Sequence, residues 1–353
     1  MDLHYVLNQL VEHKAPDLHL KVDFPPVVRL VNGELYPIEG ISPLTAAEII
    51  EIGKRITSEE KFNIFSDLNE VDFSYGLKDV GRFRVNFYQE KDGPALAFRS
   101  IPEVIPSPEE LLLPPIVHDL SLKPRGLVLV TGPTGSGKST TLASMIQFVN
   151  ERKRVHIITV EDPIEFVFKS SKAFITQREV NFHTKSFASA IRSSLRQDPD
   201  VVMIGEMRDL ETISAAITLA EAGRLVFSTL HTTDAAQTVD RMIDVFPPNQ
   251  QQQIRTQLSL VLQAVISQTI LRKADSRGRV VAFEVMVVND AIRNLIKESN
   301  IHQIYSMIQI GRKEGMQTLD DGLADLCRKG LITEDVAYSK AHDTELLRLA
   351  LNQ

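Results

Sequence analysis

The sequence predicts an α/β protein of two modules: a small α/β domain with an antiparallel sheet, then a phosphate-loop domain with a mostly parallel, doubly wound sheet and a mainly helical C-terminal region. Three observations carry the two-module reading. The apolar runs "GLVLVT", "VHIITV", "DVVMI" and "RLVFSTL" lack polar alternation and leave room between them for crossover helices, as strands buried on both faces do. Ahead of them, "VDFSYGL" and "RFRVNFYQ" alternate apolar with polar residues, the pattern of antiparallel strands with one covered face. Between the two patterns, "PEVIPSPEELLLPP" carries five prolines, which deny it a continuous helix or a central strand. The expected boundaries are 1–101 for the first domain, 102–115 for a linker and 116–353 for the second domain.

In the first domain, Asn32-Gly33 stands between two β-rich runs in "VVRLVNGELYPI", a strong hairpin signal. "TAAE" at 45–48 reads as a capping box, with Thr45 as N-cap and Glu48 three residues on, so a helix follows. "KDVG" turns the chain between the two alternating runs. Strand periodicity then puts Phe83, Val85 and Phe87 on one face and Arg82, Arg84 and Asn86 on the other. After about residue 245 the chain reads as mainly helical apart from "RVVAFEVMVV", with helix starts at Asp290, Thr318 and Thr333 and a stop at Gly330.

Composition narrows the function classes. At 353 residues the chain is too long for one ordinary core, and 43% hydrophobic with 24% charged residues describes a globular protein in water. No apolar run approaches the roughly 18 residues of a membrane span, and the start, "MDLHYVLNQL", lacks a signal-peptide layout, so a cytoplasmic location is expected. A single cysteine, Cys327, excludes an internal disulfide and any multi-cysteine zinc site, and is expected as a small buried hydrophobe in a helix. A net charge of −7 supplies no overall field for nucleic acid or acidic lipid.

The chemistry concentrates in "VTGPTGSGKSTT" at 130–141, which satisfies G-x-x-x-x-G-K-[ST]. Its cradle comprises Gly132, Pro133, Thr134, Gly135, Ser136 and Gly137, followed by Lys138, Ser139 and Thr140. Gly135 and Gly137 let successive N–H groups turn inward, and the following helix aims its positive end at the same point. Lys138 adds charge for the outer phosphates of ATP, and the Ser139 hydroxyl can ligate Mg2+. In an open α/β sheet the ligand sits beyond the carboxyl ends of the strands. There the sequence supplies Glu161, Asp162 and Glu165, then Glu206, Arg208 and Asp209, then His231 and Asp234. Acids at such places also occur simply as helix caps. Asp200 precedes its strand, which leaves Glu206 as the better acid on the metal side. Positive charge for phosphoryl transfer is expected from Arg82 and Arg84, closing from the first domain onto nucleotide held by the second, with Arg99, Arg192, Arg196 and Arg208 as weaker candidates.

Together these residues resemble the secretion ATPase superfamily, and within it the motors of type IV pilus retraction, over nearly the whole chain. "GPTGSGKSTT" looks like the Walker A, "ITVEDPIEF" the Asp box, "DPDVVMIGEMRD" the Walker B and "STLHTTDAAQTVDRMIDVFP" the His box. "DLHL", "GRFRVNF", "AIRNLIKE" and "GMQTLDDGLADL" look like further signatures. The resemblance implies the PAS-like and RecA-like folds, a homo-hexameric ring, and ATP hydrolysis coupled to pilin depolymerisation and twitching motility. It further implies an inner-membrane platform protein as partner, at the cytoplasmic face of that membrane. It implies that Glu206 supports the metal with Ser139, that Glu165 polarises the water, that His231 senses nucleotide, and that Arg82 and Arg84 contact phosphates. The choice of base among Glu161, Glu165 and Glu206 rests on the likeness. Two positions depart from it: Arg224 stands where the family often has histidine, and Lys297 where it usually has arginine.

Pilus-extension and type II secretion ATPases share the four boxes, but carry a four-cysteine zinc element that one cysteine cannot build. A RecA-like nucleic-acid motor is disfavoured by the negative charge and the lack of an aromatic-basic stretch, and no metal beyond Mg2+ is expected. A small-molecule kinase would need a lid and an acceptor pocket, and a non-hydrolysing module would not need both metal-side acids.

Overall fold

The computed structural model describes residues 1–13, 15–30, 33–78, 80–102, 104–275 and 278–351. Contacts divide the chain into two units, Met1–Val104 with Glu165–Val167, and Ile105–Ile164 with Phe168–Gln353.

Alternating strands build the first unit, as one-sided burial requires. β1 (Asp17–Lys21), β2 (Val27–Arg29), β3 (Leu35–Pro37), β4 (Glu70–Leu77), β5 (Gly81–Glu90) and β6 (Gly93–Ile101) form one sheet in the order β3-β2-β1-β6-β5-β4. Every pairing in it is antiparallel. β2 and β3 make the expected hairpin; Asn32 of its turn, and Asp79 of the turn between β4 and β5, lie outside the described residues. Helices α1 (Leu3–Glu12), α2 (Ala46–Ile56) and α3 (Glu59–Leu68) complete the unit. α2 opens on the capping box: the Glu48 N–H donates to Thr45 Oγ1 at 3.3 Å and the Thr45 N–H to Glu48 Oε2 at 2.9 Å. Phe83, Val85 and Phe87 are fully buried, and Phe65 stacks on Phe87 at a centroid distance of 3.7 Å. A phenylalanine buried in this way stabilises by about 2–3 kcal/mol. The helix comes close because Gly53 has no side chain; a Cβ there would meet the Phe87 ring at 2.5 Å.

The second unit carries β7 (Gly126–Thr131), β8 (His156–Glu161), β9 (Phe174–Glu179), β10 (Val201–Ile204), β11 (Leu225–Leu230), β12 (Leu262–Arg272) and β13 (Arg279–Val287). Their order is β13-β12-β7-β11-β10-β8-β9, parallel except for β13, which turns back on β12. β7, β10 and β11 are buried along their whole length, as their unbroken apolar runs require. α4 (Ile116–Ser121), α5 (Lys138–Arg152), α6 (Phe187–Ser194), α7 (Leu210–Glu221), α8 (Ala235–Asp244) and α9 (Pro248–Val261) alternate with these strands. α10 (Asp290–Lys297), α11 (Ile304–Ile310), α12 (Leu319–Arg328), α13 (Glu334–Tyr338) and α14 (Thr344–Leu351) make the helical end. Thr318 and Thr333 cap α12 and α13 as expected, and Gly330 takes φ +66° beyond α12.

Three expectations need correction. The chain after residue 245 is not helical up to "RVVAFEVMVV", because α9 passes directly into β12, which lies beside β7. A strand buried on both faces has no alternation, so "LQAVISQTILR" cannot be told from buried helix by periodicity. The cap of α10 is Asn289, whose Oδ1 accepts the Ile292 N–H at 3.0 Å; Asp290 is the first helical residue. Cys327 is half-buried, at the rim of the α12 face that buries Leu323 and Ala324.

Candidate functional site

Between the end of β7 and the start of α5, Gly132, Gly135 and Gly137 take φ +142°, +79° and +91°. At Gly132 a Cβ would meet the Gln268 carbonyl oxygen of β12 at 2.5 Å and Ser136 Oγ at 2.7 Å, so a side chain is excluded there. Pro133, Thr134, Gly135 and Ser139 are exposed, whereas Ser136 is buried, and Gly137 and Thr140 are intermediate. Lys138 is only 8% exposed, and its Nζ donates to the carbonyls of Gly132 at 2.8 Å and Pro133 at 3.0 Å. Burial lowers its pKa from the ordinary lysine value, and the charge of Glu206 acts in the opposite direction. The loop therefore presents exposed backbone at the positive end of a 15-residue helix, with one ammonium held at its base.

β12 walls this loop. Gln268 donates Nε2 to Thr141 Oγ1 at 3.1 Å and to the Ser136 carbonyl at 3.5 Å, and Thr131 Oγ1 donates to Ser267 Oγ at 2.9 Å. Sequence reasoning missed Ser267 and Gln268. The available signal was two adjacent polar residues inside the apolar run "AVISQTIL".

Beyond the neighbouring strand ends, Glu206 accepts Arg208 Nε at 2.8 Å and lies 3.5 Å from His231 Nε2. The Glu206 turn is pinned by Thr229, which donates Oγ1 to the Gly205 carbonyl at 2.6 Å and accepts the Met207 N–H at its own carbonyl at 3.1 Å. Glu206, His231 and the loop thus belong to one edge of one sheet, since parallel register aligns Ile204 with Ser228 and Leu230 with Thr131. Other acids from the same region serve the fold. Asp209 caps α7 through the Thr212 N–H and Asp234 caps α8 through the Gln237 N–H, each at 2.8 Å. Glu161 is buried at the end of β8, where it accepts Thr159 Oγ1 at 2.6 Å and Gln177 Nε2 at 3.2 Å. Arg192 makes a surface pair with Glu211.

The first unit holds the arginines. Antiparallel register aligns Arg29, Asp17, Arg99 and Arg84 in one row across β2, β1, β6 and β5, so they share a face. Arg99 Nε donates to Asp17 at 2.7 Å. The face carries an open pocket of about 500 Å³ lined by Arg29, Arg84 and Arg99 together with His19 and Asp17. Arg82 is half-buried one step along β5 and is not among the lining residues. Glu165 groups with this unit; burial raises its carboxyl pKa, while Arg84 and Arg99 act to lower it.

A Mg2+ ion suits an all-oxygen donor set that leaves room for water, and the Ser139 hydroxyl with the Glu206 carboxylate is of that kind. Among the described residues, no group of three or more His, Cys, Asp or Glu side chains could hold a metal ion. No helix of the described residues is long and apolar enough to cross a membrane.

Residues 115–337 match the family model described as type II/IV secretion system protein. The twitching motility protein of Neisseria gonorrhoeae is 49% identical over 320 residues, 91% of this chain and 85% of that protein. The type IV pilus retraction ATPase PilT of Pseudomonas aeruginosa is 48% identical over 341 residues, 97% of this chain and 98% of that protein. The crystal structure of the pilus retraction motor PilT with bound ADP superposes with a TM-score of 0.91 at 44% identity, over 99% of each chain.

Proposed function

The chain belongs to the type II/IV secretion system protein family, and from that membership and its phosphate loop we propose that it is an ATPase whose hydrolysis drives type IV pilus retraction and twitching motility. The observation that carries this reading is Lys138, buried at the foot of a three-glycine loop with its ammonium donating to the carbonyl oxygens of Gly132 and Pro133. Such an ammonium is placed to exchange those carbonyls for the outer phosphate oxygens of ATP, while the loop N–H groups take the inner ones.

Magnesium bound there neutralises charge on the transferring phosphoryl group. The Ser139 hydroxyl would hold it, supported by the Glu206 carboxylate. Arg208 and the Thr229 bonds keep that carboxylate in place. His231, next to Glu206, reports the nucleotide state to α8. Glu165 polarises the attacking water, a role that suits a carboxyl whose pKa burial raises above its ordinary value. Arg82 and Arg84 supply positive charge as the phosphoryl group moves. The domain arrangement we propose is a PAS-like module over 1–101, a linker over 102–115 and a RecA-like ATPase module over 116–353.

We further assign the chain to a homo-hexameric ring working against an inner-membrane platform protein from the cytoplasmic side. Retraction is favoured over extension because one cysteine cannot supply a four-cysteine zinc element. Deleting the gene and imaging pili on live cells tests the direction of the motor. Filaments that extend and stay out are expected, and bald cells would assign the motor to assembly instead.

A further inference from the structure

Glu284 sits on β13 with 3% exposure, where an apolar residue would pack at lower cost. Its Oε1 accepts the Ala235 N–H at 2.8 Å. Ala235 is the first residue of α8, and its N–H is one of those that a helix start leaves without an internal partner. The bond therefore ties the edge hairpin to the start of α8, four residues after His231.

The surroundings are acidic. Asp234, just before α8, and Asp320 of α12 both act to raise the Glu284 pKa, and Tyr305 of α11 lies in its field. Asp320 is itself engaged by the Tyr305 hydroxyl at 3.1 Å and by the N–H groups of His342 at 2.8 Å and Asp343 at 3.0 Å. Glu284 is pushed up to about 7 chiefly by burial, with the Ala235 N–H pulling it down and the two aspartates adding to the rise. Its ionised form, which accepts that N–H more strongly, is thus the form that burial disfavours.

We propose that Glu284 is a positioning residue for hydrolysis: through the Ala235 N–H its carboxylate fixes the start of α8, and with it the turn that carries His231 to Glu206. The proposal deepens the ATPase reading and rests on it for its catalytic half. The anchoring half does not, because the bond to Ala235 exists whatever the chain hydrolyses.

Stability and positioning pull in opposite directions here. A pKa raised above the unfolded carboxyl value means that stability is fullest at low pH and falls as pH rises through the window from about 4.5 to about 7. Glu284→Gln keeps an acceptor oxygen but never ionises. Above pH 7 it is expected to melt higher than the wild type while turning over ATP more slowly, by roughly 5- to 10-fold in kcat with KM little changed. The rise of wild-type kcat through pH 7 is expected to flatten in this variant.

Hydrogen exchange across Thr232–Thr238 supplies a readout free of catalysis, and it is expected to quicken at pH 8 in both Glu284→Gln and Glu284→Leu. Wild-type exchange in that segment for both variants would overturn the anchor. A wild-type kcat and pH profile for Glu284→Gln, or kcat falling together with melting temperature, would also overturn the proposal, since packing alone accounts for either result. Phosphate release that persists in Lys138→Ala would instead count against the ATPase reading, and the exchange result would still decide the anchor.

Discussion

The Lys138 ammonium donates to the carbonyl oxygen of Gly132 at 2.8 Å, closing the phosphate loop on itself across six residues. Pro133 accepts from the same nitrogen at 3.0 Å. The charge is thus kept close to where phosphates must bind, and its desolvation leaves it ready to exchange weak acceptors for anionic ones.

Lys138→Ala should abolish ATP hydrolysis, lowering kcat by at least about 10³-fold, because the outer phosphates lose their charge partner. It should also lose about 1 kcal/mol of stability, since two carbonyls lose their donor. Phosphate-release assays and thermal melting read the two effects separately. Normal turnover would remove the loop from the mechanism.

Glu165→Gln should keep ATP affinity and slow turnover by about 10²-fold or more, as loss of a general base does. Because burial holds the wild-type carboxyl above its ordinary range, its rate should fall with acidification earlier than an unshifted glutamate would dictate. The variant should lose that part of the pH profile. An affinity that collapses along with the rate would point to a structural role.

Arg84→Ala should lower turnover by about 10- to 100-fold without loss of stability. Arg84 stands opposite Arg99 in register, and removing one of two like charges relieves repulsion. Arg82→Ala tests the half-buried neighbour and should also slow turnover while the protein stays folded. Steady-state kinetics beside circular dichroism reads both; unchanged kinetics would leave either arginine as surface.

Gly53→Ala should destabilise the first unit by about 1–3 kcal/mol, because the new methyl would enter the ring of Phe87. Chemical denaturation followed by tyrosine fluorescence measures the change. A neutral outcome would mean that α2 can move away from β5 freely.

Much of this protein was legible locally. The phosphate loop, the buried strands β7, β10 and β11, the Thr45 capping box and the two faces of β5 each follow from spacing within a few residues. Those features depend on backbone conformation and burial period, which neighbours in sequence set. Glu206 and His231 were legible for the same reason, as residues just beyond strand ends.

Other features were settled only when distant segments met. β12 became a strand because a place beside β7 was open to it, and it brought Gln268 to the phosphate loop across 127 residues. Asp209 and Asp234 turned out to be caps because their own helices offered the nearest N–H groups. The row Arg29, Asp17, Arg99, Arg84, and the bond from Ala235 to Glu284, depend on strand order and register. A single sequence encodes which residues prefer to be buried and which turns they favour. Which buried groups touch is decided by the one packing in which all the strands find partners at once, and that balance has no local signature.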